Sequence, residues 1–272
     1  MYESFFGFKE RPFTLTPNTK YLFLSEHHES VIRMLLYGIE QRVGFMVLSG
    51  EVGSGKTTTI RALLNLIQDS VETSLILNPL LSTKDLVMSI NRDFGNACES
   101  ESVQQQIDTL NRYLLALNSK GKTAVVIIDE AQNLSFEAFE MARMLSNLET
   151  ESQKLLNIIF VGQPELVDII SDKRLRQLAQ RIQVHARLFP LDLKQTQDYI
   201  IHRLKSAGET VAAHFDARAV KQIHKKSKGI PRLINAICDM GLLAAFSKNS
   251  RVIDKKIINQ ALKEVPHYVY HT

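Results

Sequence analysis

The sequence predicts an α/β core, a parallel sheet sandwiched by helices, followed by an all-helical C-terminal region. Three observations carry this reading. Short apolar runs alternate with stretches of helical periodicity between residues 26 and 190. One run ends in a glycine-rich loop that opens directly into an amphipathic segment. After Pro190 the strand-like runs stop, and only helical patterns follow. Continuous apolar runs belong to strands covered on both faces, the arrangement of a parallel sheet with helices on each side.

Residues 1–25 carry Phe5, Phe6, Phe8 and Phe13 with Pro12 and Pro17. A segment so rich in rings is expected to pack on the domain that follows it rather than to trail in water. From Ser25 the pattern turns helical, with Val31, Met34, Leu35 and Ile39 on one face at spacings of three and four. Phe45–Leu48 reads as a buried strand running into Ser49-Gly50, and the helix after the loop carries Ile60, Leu63, Leu64 and Ile67 along one side. Further strands are expected at Ser74–Leu77, Ala124–Ile128, Leu156–Val161 and Ile182–Leu188, with helices around 83–93, 102–119 and 135–149. The last region reads as helices near 194–206, 216–227, 231–247 and 254–264. The expected organisation is an aromatic segment 1–25, an α/β domain 26–190 and a helical lid 191–272, with the boundary close to Phe189–Leu191.

Hydrophobic residues make up 44% and charged residues 23% of the 272, the balance of a folded globular chain rather than a disordered one. A net charge of +4 permits contact with nucleic acid or acidic lipid without demanding either. Cys98 and Cys238 lie far apart with no metal-ligand spacing, so reduced thiols are expected. No stretch approaches the roughly 18 consecutive apolar residues of a membrane-spanning helix. The first residues lack a basic region followed by an apolar run, and a cytoplasmic location is expected.

Gly50-Glu51-Val52-Gly53-Ser54-Gly55-Lys56-Thr57 matches the Walker A pattern at every required position, between a strand and a helix. The glycines let backbone amides close around phosphate oxygens, and the helix directs its positive end at them. ATP with Mg²⁺ is the expected ligand: Lys56 for the β- and γ-phosphates, the Thr57 hydroxyl for the metal, and Thr58 beside it in the first helical turn. Val125-Val126-Ile127-Ile128-Asp129-Glu130 is the matching Walker B strand. Asp129 is expected to hold the metal and Glu130 to polarise the attacking water, which makes the chain an ATPase. Gln163, after the strand ending at Val161, is a candidate sensor of the γ-phosphate, or else a cap for the helix beginning near Pro164. Asn78 is a candidate partner of Glu130, or else part of a turn at Asn78-Pro79.

Four arginines, Arg174, Arg176, Arg181 and Arg187, crowd the end of the core. Arg181, where the last helix gives way to the last strand, is favoured over Arg176 to reach the nucleotide of a neighbouring subunit in a ring. Gly229-Ile230-Pro231-Arg232 starts a helix, and Arg232 is expected to swing onto the phosphates of its own subunit.

Together these features resemble the AAA+ superfamily. The Met1-Tyr2-x-x-Phe5-Phe6-Gly7 opening, Pro12-Phe13, Ser25-x-x-His28, Gly44-Phe45, the loop with Thr58, Asp129-Glu130-Ala131-Gln132 and Gly162-Gln163-Pro164-Glu165-Leu166 resemble the ExeA family, that of general secretion pathway protein A and the MSHA-pilus ATPase MshM. The resemblance implies a cytoplasmic ATPase, a homo-oligomeric ring, that helps assemble a type IV pilus or type II secretion complex. In the secretion branch a transmembrane helix and a peptidoglycan-binding part follow the ATPase. This chain stops at Thr272 without them, so it resembles the MshM type and is expected to reach the inner membrane through a membrane-anchored assembly protein. TniB/TnsC-like regulators of transposition share similar motifs and bind DNA; that is the alternative. Nucleic acid is not favoured, because the only dense basic run, His224-Lys225-Lys226-Ser227-Lys228, reads as a solvated helix end.

Overall fold

Five strands form one parallel sheet in the computed structural model: β1 (Phe45–Gly50), β2 (Val71–Ile76), β3 (Thr123–Ile128), β4 (Leu156–Gly162) and β5 (Ile182–Leu188). The structure describes residues 1–14, 21–67, 70–77, 79, 82–96, 98–151, 153–208 and 212–264. The spatial order is β2-β3-β4-β1-β5, with Val47 opposite Phe160 and Val126 opposite Ile158. Parallel neighbours cannot be joined by tight turns, so each connection crosses over through helices. These are α2 (Glu26–Glu40), which precedes β1, then α3 (Lys56–Ile67), α4 (Thr83–Asp93), α5 (Val103–Ser119), α6 (Phe136–Leu145), α7 (Glu165–Ile170) and the single turn α8 (Arg176–Ala179).

The sheet and most of these helices make up one compact unit, His27–Gly50 with Thr59–Leu188. Its core is the apolar run of each central strand: β4 is buried along its whole length, and β3 from Ala124 onward. Each such Val, Ile or Phe contributes about 1.5–3 kcal/mol on leaving water. Phe45 and Phe160 stack across neighbouring strands with centroids 5.7 Å apart. Because all strands run the same way, Gly50, Asp129 and Gly162 come to the same edge of the sheet, the edge where parallel sheets place their chemistry. β2 begins earlier than Ser74 and ends at Ile76; Leu77, expected as its last residue, is outside it and 62% exposed.

The second unit comprises Met1–Glu26, Glu51–Thr58 and the chain from Phe189. Its helices are α9 (Leu193–Ala207), α10 (Ala217–Ser227), α11 (Pro231–Ser247) and α12 (Lys255–Glu264). Asp192 and Gln195 form a reciprocal capping box at the start of α9. A two-residue parallel pair, β6 (His214–Phe215) with β7 (Val252–Ile253), interrupts a region expected to hold no strand. Two residues are too short to leave a period in the sequence.

The N-terminal aromatic segment does not pack where the sequence reading placed it. Helix α1 (Tyr2–Phe6), Phe8 and Phe13 belong to the same apolar cluster as Ile237, Cys238 and Leu242 of α11. The Tyr2 hydroxyl donates to Asp239, and Phe5 meets Phe246 edge-on at 5.4 Å. The Lys9 amide donates to the Ala207 carbonyl (2.8 Å), and the buried Arg203 Nε donates to that of Pro12 (2.5 Å). Rings need a broad apolar face; helices distant in sequence supply it here, and no local pattern marks that choice.

Candidate functional site

β1 ends at Gly50 and α3 opens at Lys56, so Glu51–Gly55 form the loop between them. Gly53 has φ +76° and Gly55 φ +102°, conformations a side chain would strain. The Ser54 amide donates to the Glu51 carbonyl (3.1 Å), closing the turn, and Lys56 Nζ donates to the same carbonyl (3.1 Å). Ser54 is buried and its Oγ has no hydrogen-bond partner among the described residues. Thr57 and Thr58 follow in the first turn of α3, whose amides have no carbonyl partners inside the helix. A folded-over lysine, an unmatched buried hydroxyl and a helix N-terminus together suit the oxygens of a polyphosphate.

Arg232 is brought to this loop. Pro231 occupies the first turn of α11, where its missing N–H costs nothing, and Arg232 follows it. The Arg232 amide donates to the Gly53 carbonyl (3.3 Å), and a Cβ built on Gly53 would lie 2.5 Å from the Arg232 Cβ. Gly229, at φ +77°, lets the preceding turn close on Leu191: the Leu191 amide donates to its carbonyl at 2.9 Å, and a Cβ there would collide with the Leu191 carbonyl oxygen.

In the sheet unit, β3 delivers Asp129 and Glu130 to the strand edge. Asp129 is buried; its amide donates to the Ile76 carbonyl (2.9 Å), and its Oδ1 accepts from the Glu130 amide (2.9 Å). Glu130 Oε2 accepts from Gln163 Nε2 (3.2 Å) and from Gln132 Nε2 (2.6 Å). Gln163 therefore turns toward the carboxylate; α7 begins at Glu165 with no side chain capping it. Gln132 was not singled out from the sequence as a functional residue. Its signal was slight: an amide two positions after a candidate catalytic glutamate. Asn78 lies outside the described residues.

The arginines divide by what they touch. Arg174 pairs with Asp172 (2.9 Å) and lies over the Phe136 ring (3.5 Å). Arg181 Nη1 donates to Asn147 Oδ1, and to Ser146 Oγ at 3.4 Å, within its own chain. Arg176 is exposed, and its guanidinium makes no hydrogen bond or ion pair with any described residue.

A family model described as an AAA domain matches residues 39–170. Over 266 residues, 97% of this chain, the sequence is 42% identical to general secretion pathway protein A of Aeromonas hydrophila. The chain belongs to the AAA ATPases of the general secretion pathway protein A family. It spans 48% of that relative's length. Among solved structures this AAA chain is similar to Cdc6p from Pyrobaculum aerophilum, with a TM-score of 0.70 and 18% identity over 94% of this chain and 71% of that one. It is also similar to the Aeropyrum pernix ORC1 protein in complex with DNA, with a TM-score of 0.71 and 15% identity over 95% and 70%. At such identities the likeness is one of fold: an AAA core followed by a helical region.

Proposed function

We propose that the chain binds ATP with Mg²⁺, hydrolyses it to ADP and phosphate, and couples hydrolysis to assembly of a bacterial envelope machine, a type IV or MSHA pilus or a type II secretion complex. The observation that carries the chemical part is Glu130, a carboxylate oriented by two amides at the strand edge where β1 passes into the Walker loop. The loop amides from Gly50 to Gly55 and Lys56 bind the phosphates, and Arg232, against Gly53, ties the state of the helical unit to the nucleotide. Glu130 takes a proton from the attacking water, and Gln163 positions that water or the γ-phosphate. Mg²⁺, held by Thr57 and Asp129, would neutralise phosphate charge. An arginine from a second copy, Arg181 in this reading, completes the site in a homo-oligomer.

The biological part is supported by the relative, a general secretion pathway protein covered along about half its length. Among the described residues no helix is long and apolar enough to cross a membrane. A membrane-anchored assembly protein as partner, on the cytoplasmic side, is consistent with this. The alternative, a DNA-binding regulator of transposition, has less behind it. The basic run ends α10, where Lys225 and Lys226 oppose the helix dipole and His224 Nδ1 shares a hydrogen bond with Thr196 Oγ1 (3.0 Å).

Two substitutions test the chemistry. Lys56→Ala should abolish nucleotide binding, whereas Glu130→Gln should keep it and lose about 10²–10⁴-fold in turnover. Wild-type turnover by Glu130→Gln would reject the assignment. For the role, the Glu130→Gln protein loaded with ATP should retain a membrane-anchored assembly protein. It should bind duplex DNA only weakly at about 0.15 M salt. ATP-dependent filaments on DNA would favour the alternative instead.

A further inference from the structure

We propose that Gln132 is a positioning residue for hydrolysis: its side-chain amide fixes the Glu130 carboxylate and ties it to the end of β4. The inference rests on the reading of Glu130 as the carboxylate that activates water. Glu130 has φ +50°, the left-handed region that residues with side chains seldom enter. That turn leads the chain into a single 3₁₀ turn, Ala131–Asn133, with Ala131 fully buried as its anchor. Gln132 thereby returns beside the residue two positions before it.

The two ends of the Gln132 amide have different partners. Nε2 donates to Glu130 Oε2 at 2.6 Å, and Oε1 accepts the Gln163 backbone N–H at 3.2 Å. An ionised carboxylate can only accept and a backbone N–H can only donate, so these partners admit one orientation of the amide. Gln163 Nε2 reaches the same carboxylate oxygen at 3.2 Å. Both donors therefore fall on Oε2, and Glu130 Oε1 accepts no hydrogen bond from any described residue. Oε1 is the oxygen left to take a proton from water.

Gly162 gives a second, independent sign that the place is built for Gln132. A Cβ on Gly162 would lie 2.6 Å from Gln132 Oε1 and 2.8 Å from a Leu166 methyl. The last residue of β4 has no side chain where the amide passes. A carboxylate held by charge-assisted bonds on one oxygen cannot swing freely about its last torsion. Without Gln132 the basic oxygen would wander relative to the water it must meet, and misplacement by an ångström can cost about 10²-fold in rate.

Gln132→Met keeps the length of the side chain and removes both hydrogen-bonding ends. The expected result is a kcat lowered by about 10- to 100-fold, with dissociation constants for ATP and ADP within about threefold of wild type. The Gln163 backbone amide, having lost its acceptor, should exchange with solvent at least about tenfold faster. In a Glu130→Gln background, where there is no base to position, Gln132→Met should lower the residual turnover by less than about twofold. The proposal is overturned if kcat of Gln132→Met stays within about twofold of wild type, if nucleotide affinity falls in step with kcat, or if the full penalty recurs in the Glu130→Gln background. Full activity of Gln132→Met beside an inactive Glu130→Gln rejects the positioning role alone. Full activity of Glu130→Gln rejects the catalytic reading on which it rests.

Discussion

Arg232 sits against Gly53 so closely that its Cβ would lie 2.5 Å from any side chain that residue 53 carried. The contact joins the first turn of α11 to the Walker loop through backbone as well as side chain, because the Arg232 amide also donates to the Gly53 carbonyl. Gly53→Ala therefore meets two obstacles. The left-handed backbone at φ +76° costs an alanine about 1–2 kcal/mol, and the methyl meets the Arg232 Cβ as well. Fluorescence titration should show ATP affinity reduced by at least about tenfold. Arg232→Ala should not rescue it, since alanine retains the offending Cβ; a rescued double variant would show that the contact is not the cause.

Arg181 is expected to act in trans, yet its guanidinium is engaged by Asn147 and Ser146 of its own chain. If the trans role is right, Arg181→Ala lowers hydrolysis while leaving ATP affinity near normal, and mixing it with Lys56→Ala protein restores part of the activity. If Arg181 is only a structural tie, Asn147→Ala should match it in melting temperature and activity. Arg176→Ala is the informative comparison, because Arg176 is exposed and uncommitted among the described residues. Loss of hydrolysis there, with Arg181→Ala active, would move the assignment to Arg176.

His202 gives the helical unit a pH dependence of definite sign. Burial, then the nearby Arg203 charge, push its pKa below the ordinary 6.5, against a smaller opposing effect of its hydrogen bond to the Leu22 backbone. Its Nε2 is buried with no partner among the described residues, and Phe23 packs on the ring at 5.7 Å. The folded state thus binds the proton less readily than the unfolded one. The contribution is complete above pH 6.5 and is lost as pH falls through the folded pKa. Denaturant midpoints at about pH 7.5 and about pH 5.5 should differ less in His202→Gln than in the wild type. An equal difference in both would place the acid sensitivity elsewhere.

Arg203 should be intolerant of lysine. Its Nε and Nη2 donate to the Pro12 and Thr14 carbonyls at 2.5 and 3.0 Å, and its guanidinium lies 4.3 Å from the Tyr21 ring centroid. Lysine cannot reproduce that fork. Arg203→Lys should cost about 2–3 kcal/mol, and limited proteolysis should cut first within the N-terminal segment. Unchanged protease resistance would mean that the Tyr2–Asp239 and Phe5–Phe246 contacts suffice to hold it.

What could be read from the sequence was local. The Walker loop and the strand carrying Asp129 and Glu130 each lie within about a dozen consecutive residues, and the helices after Pro190 each show their period within a single short window. Glycine conformation, strand burial and helix periodicity write themselves into such windows. Only the tertiary structure decided which surfaces meet across the chain. It placed Tyr2 and Phe6 among the residues of α11 more than 200 positions away, because rings bury against any apolar face of sufficient breadth and the sequence does not label the face. It also brought Gln132, Glu130 and Gln163 onto one carboxylate oxygen, which required an unusual backbone turn at Glu130 and the absence of a side chain at Gly162. Composition and spacing identify residues able to do the chemistry; the oxygen left open for water is set by hydrogen bonds between elements, and those form only once β3 and β4 lie side by side.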